Sequence, residues 1–262
     1  MWISFNSKRV FKESNIDVDF HLNKVFIPEI KTPTFHPIKL INLSNKNYDK
    51  NNFIQYLKTI FTEKRTDRII SKYLIGTSTH WNGATVFWQI DTENLIRGGK
   101  IMLYSSKNGK RIKIPFNHIT WVHSVLLNKN RINEFNLNQC LFGLHLIDQQ
   151  PYLPIAIVES EKTACIMSEI FDNYIWLACG SLSNLNEKML HPIKNKKVVL
   201  YPDLSINQKA YKEWKTTSEK LNKKDFNISV SHLLEGHCSE QQREKGFDIA
   251  DYFLNTSIHN TM

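Results

Sequence analysis

In the first half of the chain, the apolar residues at first show no regular spacing and then take the spacing of helices. Residues 1–48 mix Pro28, Pro33 and Pro37 with Asn and Lys, which predicts an irregular N-terminal arm. From Asn52 onward, apolar residues at positions 53, 54, 57, 60 and 61 fall on one face of a helix. A second short helix is predicted over residues 69–74, where the same spacing continues.

The period then changes to that of strands. Residues 85–90 and 100–104 have strand-forming composition, and Asn108-Gly109 before residues 110–114 is typical of a hairpin. This segment predicts a small, mostly antiparallel sheet. Together with the helices, it predicts an α+β subdomain over residues 49–150.

After about Asp148, short and continuously apolar runs alternate with helical stretches. Such runs are typical of strands that are buried on both faces of a parallel sheet. Strands are predicted at residues 154–158, 174–178, 198–201 and 226–230, and helices at residues 163–171 and 209–221. The alternation predicts an α/β domain over residues 151–262, in which helices flank a parallel sheet.

Two acidic residues directly follow predicted strands. Glu159 follows the first strand of this domain, and Asp203 follows the third. Because open α/β sheets bind ligands at the carboxyl ends of their strands, we expect the two carboxylates to meet there. Close carboxylates repel unless a cation joins them, and oxygen ligands suit Mg²⁺ or Mn²⁺. The alternative is a helix cap, a role that Ser160 or Asp203 can fill.

Charge and cysteine content narrow the function. The net charge of +9 favours a polyanion partner, although charge alone does not decide this. The densest basic stretch contains Arg97, Lys100, Lys107, Lys110, Arg111 and Lys113. The four cysteines lack zinc-ribbon spacing, and no apolar run reaches the length of a membrane span. A cytoplasmic protein without a membrane partner is expected.

Three segments resemble the motifs of the Toprim domain of bacterial primases. The segment 157–164 resembles the first Toprim motif, a strand that ends in Glu. The segment 198–205 resembles the Asp-x-Asp motif, with Ser205 in place of the second Asp. The segment 246–253 is similar to the closing acidic segment of primases. From about Asn52, the chain also resembles a primase-like family that is carried on bacterial mobile elements.

The resemblance implies roles for particular residues. Glu159 would act as a base or metal ligand, Asp203 and Asp248 would hold Mg²⁺ or Mn²⁺, and Asp251 would support them. The residues implied to contact nucleic acid are Arg97, Lys100, Lys110, Arg111 and Lys162. Bases would stack on aromatic side chains such as Trp88 or Tyr104. The alternative for the basic stretch is a solvated hairpin face, with Trp88 in the core.

The implied activity is that of a primase-like nucleotidyltransferase acting on single-stranded DNA in the replication or mobilisation of a mobile element. Its partners would be single-stranded DNA or RNA, nucleoside triphosphates, and a helicase or mobilisation complex. Two departures from the primase pattern, Ser205 and the missing zinc ribbon, keep two alternatives open. These are a Toprim nuclease and a module that binds nucleic acid without catalysis.

Overall fold

The computed structural model describes residues 31–259. The elements and contacts below lie in one compact unit that begins at Thr32. Most of the predicted N-terminal arm lies outside the described residues. In its described part, residues Lys39–Ser44 form a helix, α1. Among the described helices, none is long and apolar enough to cross a membrane.

The first half of this unit contains an antiparallel sheet with helices before and after it. The two predicted helices are confirmed as α2 (Asn52–Ile60) and α3 (Glu63–Tyr73). Helix α2 begins where it does because the Asn51 side chain accepts hydrogen bonds from two backbone amides of its first turn. The sheet has the order β1-β2-β3-β4, formed by Gly76–Ser78, Ala84–Ile90, Ile96–Met102 and Ile119–Trp121. Helix α4 (Val122–Asn128) follows directly.

The predicted hairpin at Asn108-Gly109 is present as a chain reversal but not as a pair of strands. Strand β3 ends at Met102, and beyond it the two arms share a single bridge between Tyr104 and Arg111. Gly109 occupies the turn with φ +64°, a left-handed conformation that favours glycine. The Tyr56 ring packs so closely on this glycine that a Cβ atom would lie 2.3 Å from it. A strand over residues 110–114 was wrongly predicted.

The second half contains a parallel sheet flanked by helices, which confirms the predicted fold class. Its strands are β5 (Ile155–Val158), β6 (Ile175–Ala178), β7 (Lys197–Leu200) and β8 (Asn227–Val230), in the order β6-β5-β7-β8. Its helices are α5 (Glu161–Ile170), α6 (Glu187–Leu190), α7 (Lys209–Asn222), α8 (Leu233–His237), α9 (Glu240–Glu244) and α10 (Ile249–His259). All neighbouring strands pair in parallel.

One hydrophobic core joins the two halves. Buried side chains of α2, α3 and β2 belong to the same cluster as those of β5, β6 and α5. The Tyr73 hydroxyl donates a hydrogen bond of 2.8 Å to the backbone carbonyl of Trp176, and Phe142 forms a bridge with Ala178. The two halves therefore share their interior, and the predicted boundary near residue 150 stays a prediction.

Candidate active site

A cleft of about 620 Å³ lies between the carboxyl ends of β5 and β7 and the chain reversal after β3. One wall carries the acids Glu159, Asp203, Asp248 and Asp251, and the other carries Lys110, Arg111 and Lys113. The parallel arrangement of β5 and β7 explains the positions of Glu159 and Asp203, because the residues that follow both strands emerge at the same edge of the sheet. Asp248 and Asp251 come from the start of α10. The cleft thus brings together most of the residues predicted from the sequence.

The Glu159 carboxylate is close enough to Asp203 to disfavour ionisation of Asp203. Burial and then the Glu159 carboxylate raise the pKa of Asp203 well above its usual range. Burial and then the carboxylate of Glu213 raise the pKa of Glu159. The Asp203 Oδ1 atom is shielded from solvent, and no atom of the described residues gives it a hydrogen bond. A buried carboxylate oxygen without a partner is costly, and a cation would satisfy it.

Asp248 and Asp251 are held differently, by side chains of the chain itself. The Asp248 Oδ2 atom accepts a hydrogen bond of 2.6 Å from the Thr163 hydroxyl and lies 3.2 Å from the Lys162 ammonium. Lys162 also lies 3.8 Å from Asp251. Although burial opposes ionisation, Lys162 and the hydrogen bonds lower the pKa of Asp248. Asp248 also accepts a hydrogen bond from the Asp251 amide at the start of α10.

The acidic side chains of the cleft fit a divalent metal ion only in part. Among residues 31–259, no three side chains of the His, Cys, Asp and Glu types are grouped closely enough to hold a metal ion. The unpartnered oxygen of Asp203 and the neighbouring Glu159 nevertheless fit a hard cation with oxygen ligands. The arrangement fits a site with two carboxylates, in which water would complete the shell, better than a cage of three acids.

Ser205 takes the position of the second acid in the Asp-x-Asp pattern. Its hydroxyl accepts a hydrogen bond of 2.8 Å from the backbone amide of Ala210, in the first turn of α7. The side chain therefore stabilises the start of this helix, a role for which Ser is well suited. Because its hydroxyl is engaged by this helix, Ser205 does not add a metal ligand to the acidic wall.

The predicted basic residues separate into three groups. Lys110 and Arg111 line the cleft as exposed side chains, and Lys162 lines it beside the acids. Lys100 lines it too, but its ammonium is 3.0 Å from Glu161 and donates to the Gly180 carbonyl.

Arg97 lies at a separate cavity. Its guanidinium pairs with Asp91 and lies over the Phe35 ring. The aromatic residues expected to stack bases, Trp88 and Tyr104, are each 1% exposed and belong to the core, so that expectation was wrong.

Sequence reasoning missed three contributors to the cleft. Thr163 holds Asp248, Glu161 neutralises Lys100, and Lys245 lines the cleft from the loop after α9. The only signal for the first two was the polar run Ser160–Thr163 directly after an apolar strand. Lys245 has no local signal, because its position depends on how the last two helices pack.

The fold defines a class of protein: an α/β chain with the fold of a primase catalytic core. The DnaG primase catalytic domain bound to ssDNA gives a TM-score of 0.50 at 12% identity, over 85% of this chain and 81% of that chain. The E. coli primase catalytic core gives 0.50 at 11% identity, over 85% and 82%. Likeness at this identity concerns the fold alone.

The family is defined by sequence. Residues 51–204 match the model of the family described as Domain of unknown function (DUF6371). This match spans more than half of the chain, and the chain belongs to this family. No curated protein matches the sequence significantly.

Proposed function

We propose that this protein is a primase-like nucleotidyltransferase of the Toprim type, which makes or extends short primers on single-stranded DNA. The observation that carries the proposal is the unpartnered Oδ1 atom of Asp203, which lies beside Glu159 in a cleft whose other wall is basic. Such a cleft has one wall for a metal and another for phosphates. We place its activity in the replication or mobilisation of a mobile element, with a helicase or mobilisation complex as partner.

The acidic and the basic residues of the cleft would have different roles. Glu159 and Asp203 would hold Mg²⁺ or Mn²⁺, which supplies charge neutralisation at the triphosphate and the attacking hydroxyl. Alternatively, Glu159 would act as the base that accepts the proton of that hydroxyl. Lys110 and Arg111 would contact backbone phosphates. Lys162 fixes Asp248 and Asp251, which support the site.

Two observations favour a second candidate, a module that binds nucleic acid without catalysis. The Ser205 hydroxyl is engaged with α7, and the best-defined acid, Asp248, already has Lys162 and Thr163 as partners. Both features reduce the number of ligands left for metal. A nuclease would use the same carboxylates, so the assay must score both synthesis and cleavage.

The test is incubation of the purified protein with a single-stranded template, labelled nucleotides and Mn²⁺. We expect extension products, and we expect Glu159→Gln to abolish them, because the amide can neither hold the metal nor accept a proton. The matched control is Glu219→Gln, an exposed carboxylate on α7 that should retain activity. Mn²⁺ should also raise the melting temperature of the wild type, since the ion binds only the folded state.

Three outcomes would contradict the proposal. Cleavage without extension would identify a nuclease. Binding without either product, and without a metal effect on the melting temperature, would identify the binding module. Retained extension in Glu159→Gln would show that the reaction takes place elsewhere.

A further inference from the structure

Four aromatic rings form a cluster beside the basic wall of the cleft. His80 and Trp81, in the turn between β1 and β2, have ring centroids 4.5 Å apart. Phe116 and His118, in the segment before β4, are stacked at 4.3 Å. Trp81 joins the two pairs, at 5.1 Å from His118 and 6.3 Å from Phe116. We call these four residues the aromatic cluster.

The aromatic cluster is anchored on one side and open on the other. Trp81 packs against the apolar cluster on the outer face of the first sheet, and His118 Nδ1 lies 3.1 Å from the Ile112 carbonyl oxygen. Phe116 is 54% exposed, and the nearby Ile114 is 85% exposed. The Phe116 ring is held through its stacking on His118 but remains 54% exposed, so part of its apolar area is free to stack on a base.

Basic residues adjoin the aromatic cluster. Lys110, Arg111 and Lys113 precede Phe116 in the same segment, and the positive charge of Lys129 lies near enough to His80 to contribute, after burial, to lowering its pKa. Lys113 lines the cleft and is three residues from Phe116, so the two Cα atoms are at most about 11 Å apart. A basic path therefore joins the aromatic cluster to the acids.

We propose that the aromatic cluster stacks the bases of a single-stranded nucleic acid while the adjacent lysines and arginine contact its phosphates. Proteins that bind single strands without reading sequence combine these two features, a basic groove and aromatic faces. The proposal rests on the proposed function, because it assigns the route by which the template reaches the cleft. It replaces Trp88 and Tyr104, whose rings are buried, with Phe116 and Trp81.

The decisive variant is Phe116→Leu, which keeps an apolar side chain of similar size but removes the ring. Binding of a fluorescent oligo-dT should weaken about 5- to 150-fold, since stacking contributes ~1–3 kcal/mol per base. The dependence of affinity on salt should keep its slope, because the phosphate contacts remain. The triple variant Lys110→Ala, Arg111→Ala and Lys113→Ala should instead give a shallower slope.

Tryptophan fluorescence is a second measurement, because Trp81 belongs to the aromatic cluster. Oligo-dT should quench tryptophan fluorescence in the wild type, and Trp81→Phe should remove that quenching. The matched control is Tyr152→Ala, because Tyr152 is 97% exposed but lies outside the cleft. It should bind as the wild type does. Unchanged melting temperatures would confirm that the variants are folded.

The results separate this inference from the proposed function. If Phe116→Leu and Trp81→Phe bind and quench like the wild type while Glu159→Gln abolishes extension, the aromatic cluster has only a packing role and the enzyme proposal stands. If the wild type neither binds oligo-dT nor extends it, both proposals are wrong. A loss of affinity in Phe116→Leu at constant salt slope supports stacking whether or not extension is detected.

Discussion

Asp203 has a buried carboxyl oxygen without a hydrogen-bond partner among the described residues. Its pKa is raised by burial and by Glu159, so in the metal-free protein the folded state binds a proton more tightly than the unfolded state does. Stability from this group is therefore present at low pH and is lost as the pH rises through the folded-state pKa. We expect Asp203→Asn to stabilise the metal-free protein at pH 7, by roughly 1 kcal/mol.

The measurement is urea unfolding in a chelating buffer over a range of pH. The gain from Asp203→Asn should shrink as the pH falls towards about 4, the usual pKa of Asp, because both side chains are then neutral. Asp67→Asn, which changes an exposed carboxylate on α3, is the control and should have little effect. A destabilised Asp203→Asn at pH 7 would show that the carboxylate has a partner without metal.

The positions of the acidic residues could be predicted from the sequence better than those of the basic residues. Glu159 and Asp203 follow strands of a regular parallel sheet, and that position alone brings them to one edge. The places of Lys100 and Arg97 depend on Glu161 and Asp91, which become their partners only after folding. A lysine in a basic run looks the same in sequence whether it faces solvent or a buried carboxylate.

Between elements, the most consequential contact is the ion pair that joins β3 to α5. The Lys100 side chain is 10% exposed and that of Glu161 is 1% exposed. Lys100→Met should therefore leave a buried carboxylate without its partner and cost about 3–5 kcal/mol. Adding Glu161→Gln should recover much of this loss, because the remaining group is neutral.

Thermal and urea unfolding of the two variants check this prediction. Lys110→Ala, which changes an exposed residue of the same basic stretch, should leave stability nearly unchanged. A Lys100→Met protein as stable as the wild type would show that the pair is solvated. If the pair is buried as described, Lys100 should be left out of tests of nucleic-acid binding, because its loss disturbs the fold.

Element prediction succeeded where burial was continuous. The strands β5 and β6 are apolar throughout, and their predicted ends differ from the observed ones by one residue at most. Strand β3 begins at Ile96, earlier than predicted. The prediction missed its first residues because Gly98 and Gly99 are poor strand formers. The Trp88 ring lies where a Gly99 side chain would be, which explains why glycine is needed there. Strand β4 was missed because it has three residues.

The stability of the whole molecule depends on contacts between residues that precede residue 150 and residues that follow it. Trp176 and Ala178 of β6 receive hydrogen bonds from Tyr73 and Phe142, both of which precede that residue. We expect a fragment of residues 151–259 to lack a cooperative unfolding transition and to bind a hydrophobic dye, whereas residues 32–259 should unfold cooperatively. Calorimetry of the two fragments is the check. A sharp transition in the shorter fragment would show two independent domains.

Lys162 also bears on the order of events after synthesis. Its ammonium already pairs with Asp248 and lies near Asp251, so this part of the acidic wall has a counter-ion within the chain. The polypeptide can then reach its native state before any ion is captured, unlike small zinc domains, in which metal capture drives folding. If the cleft takes a metal ion as proposed, loading would be a separate and reversible event, and a shortage of the ion would leave the protein folded but idle.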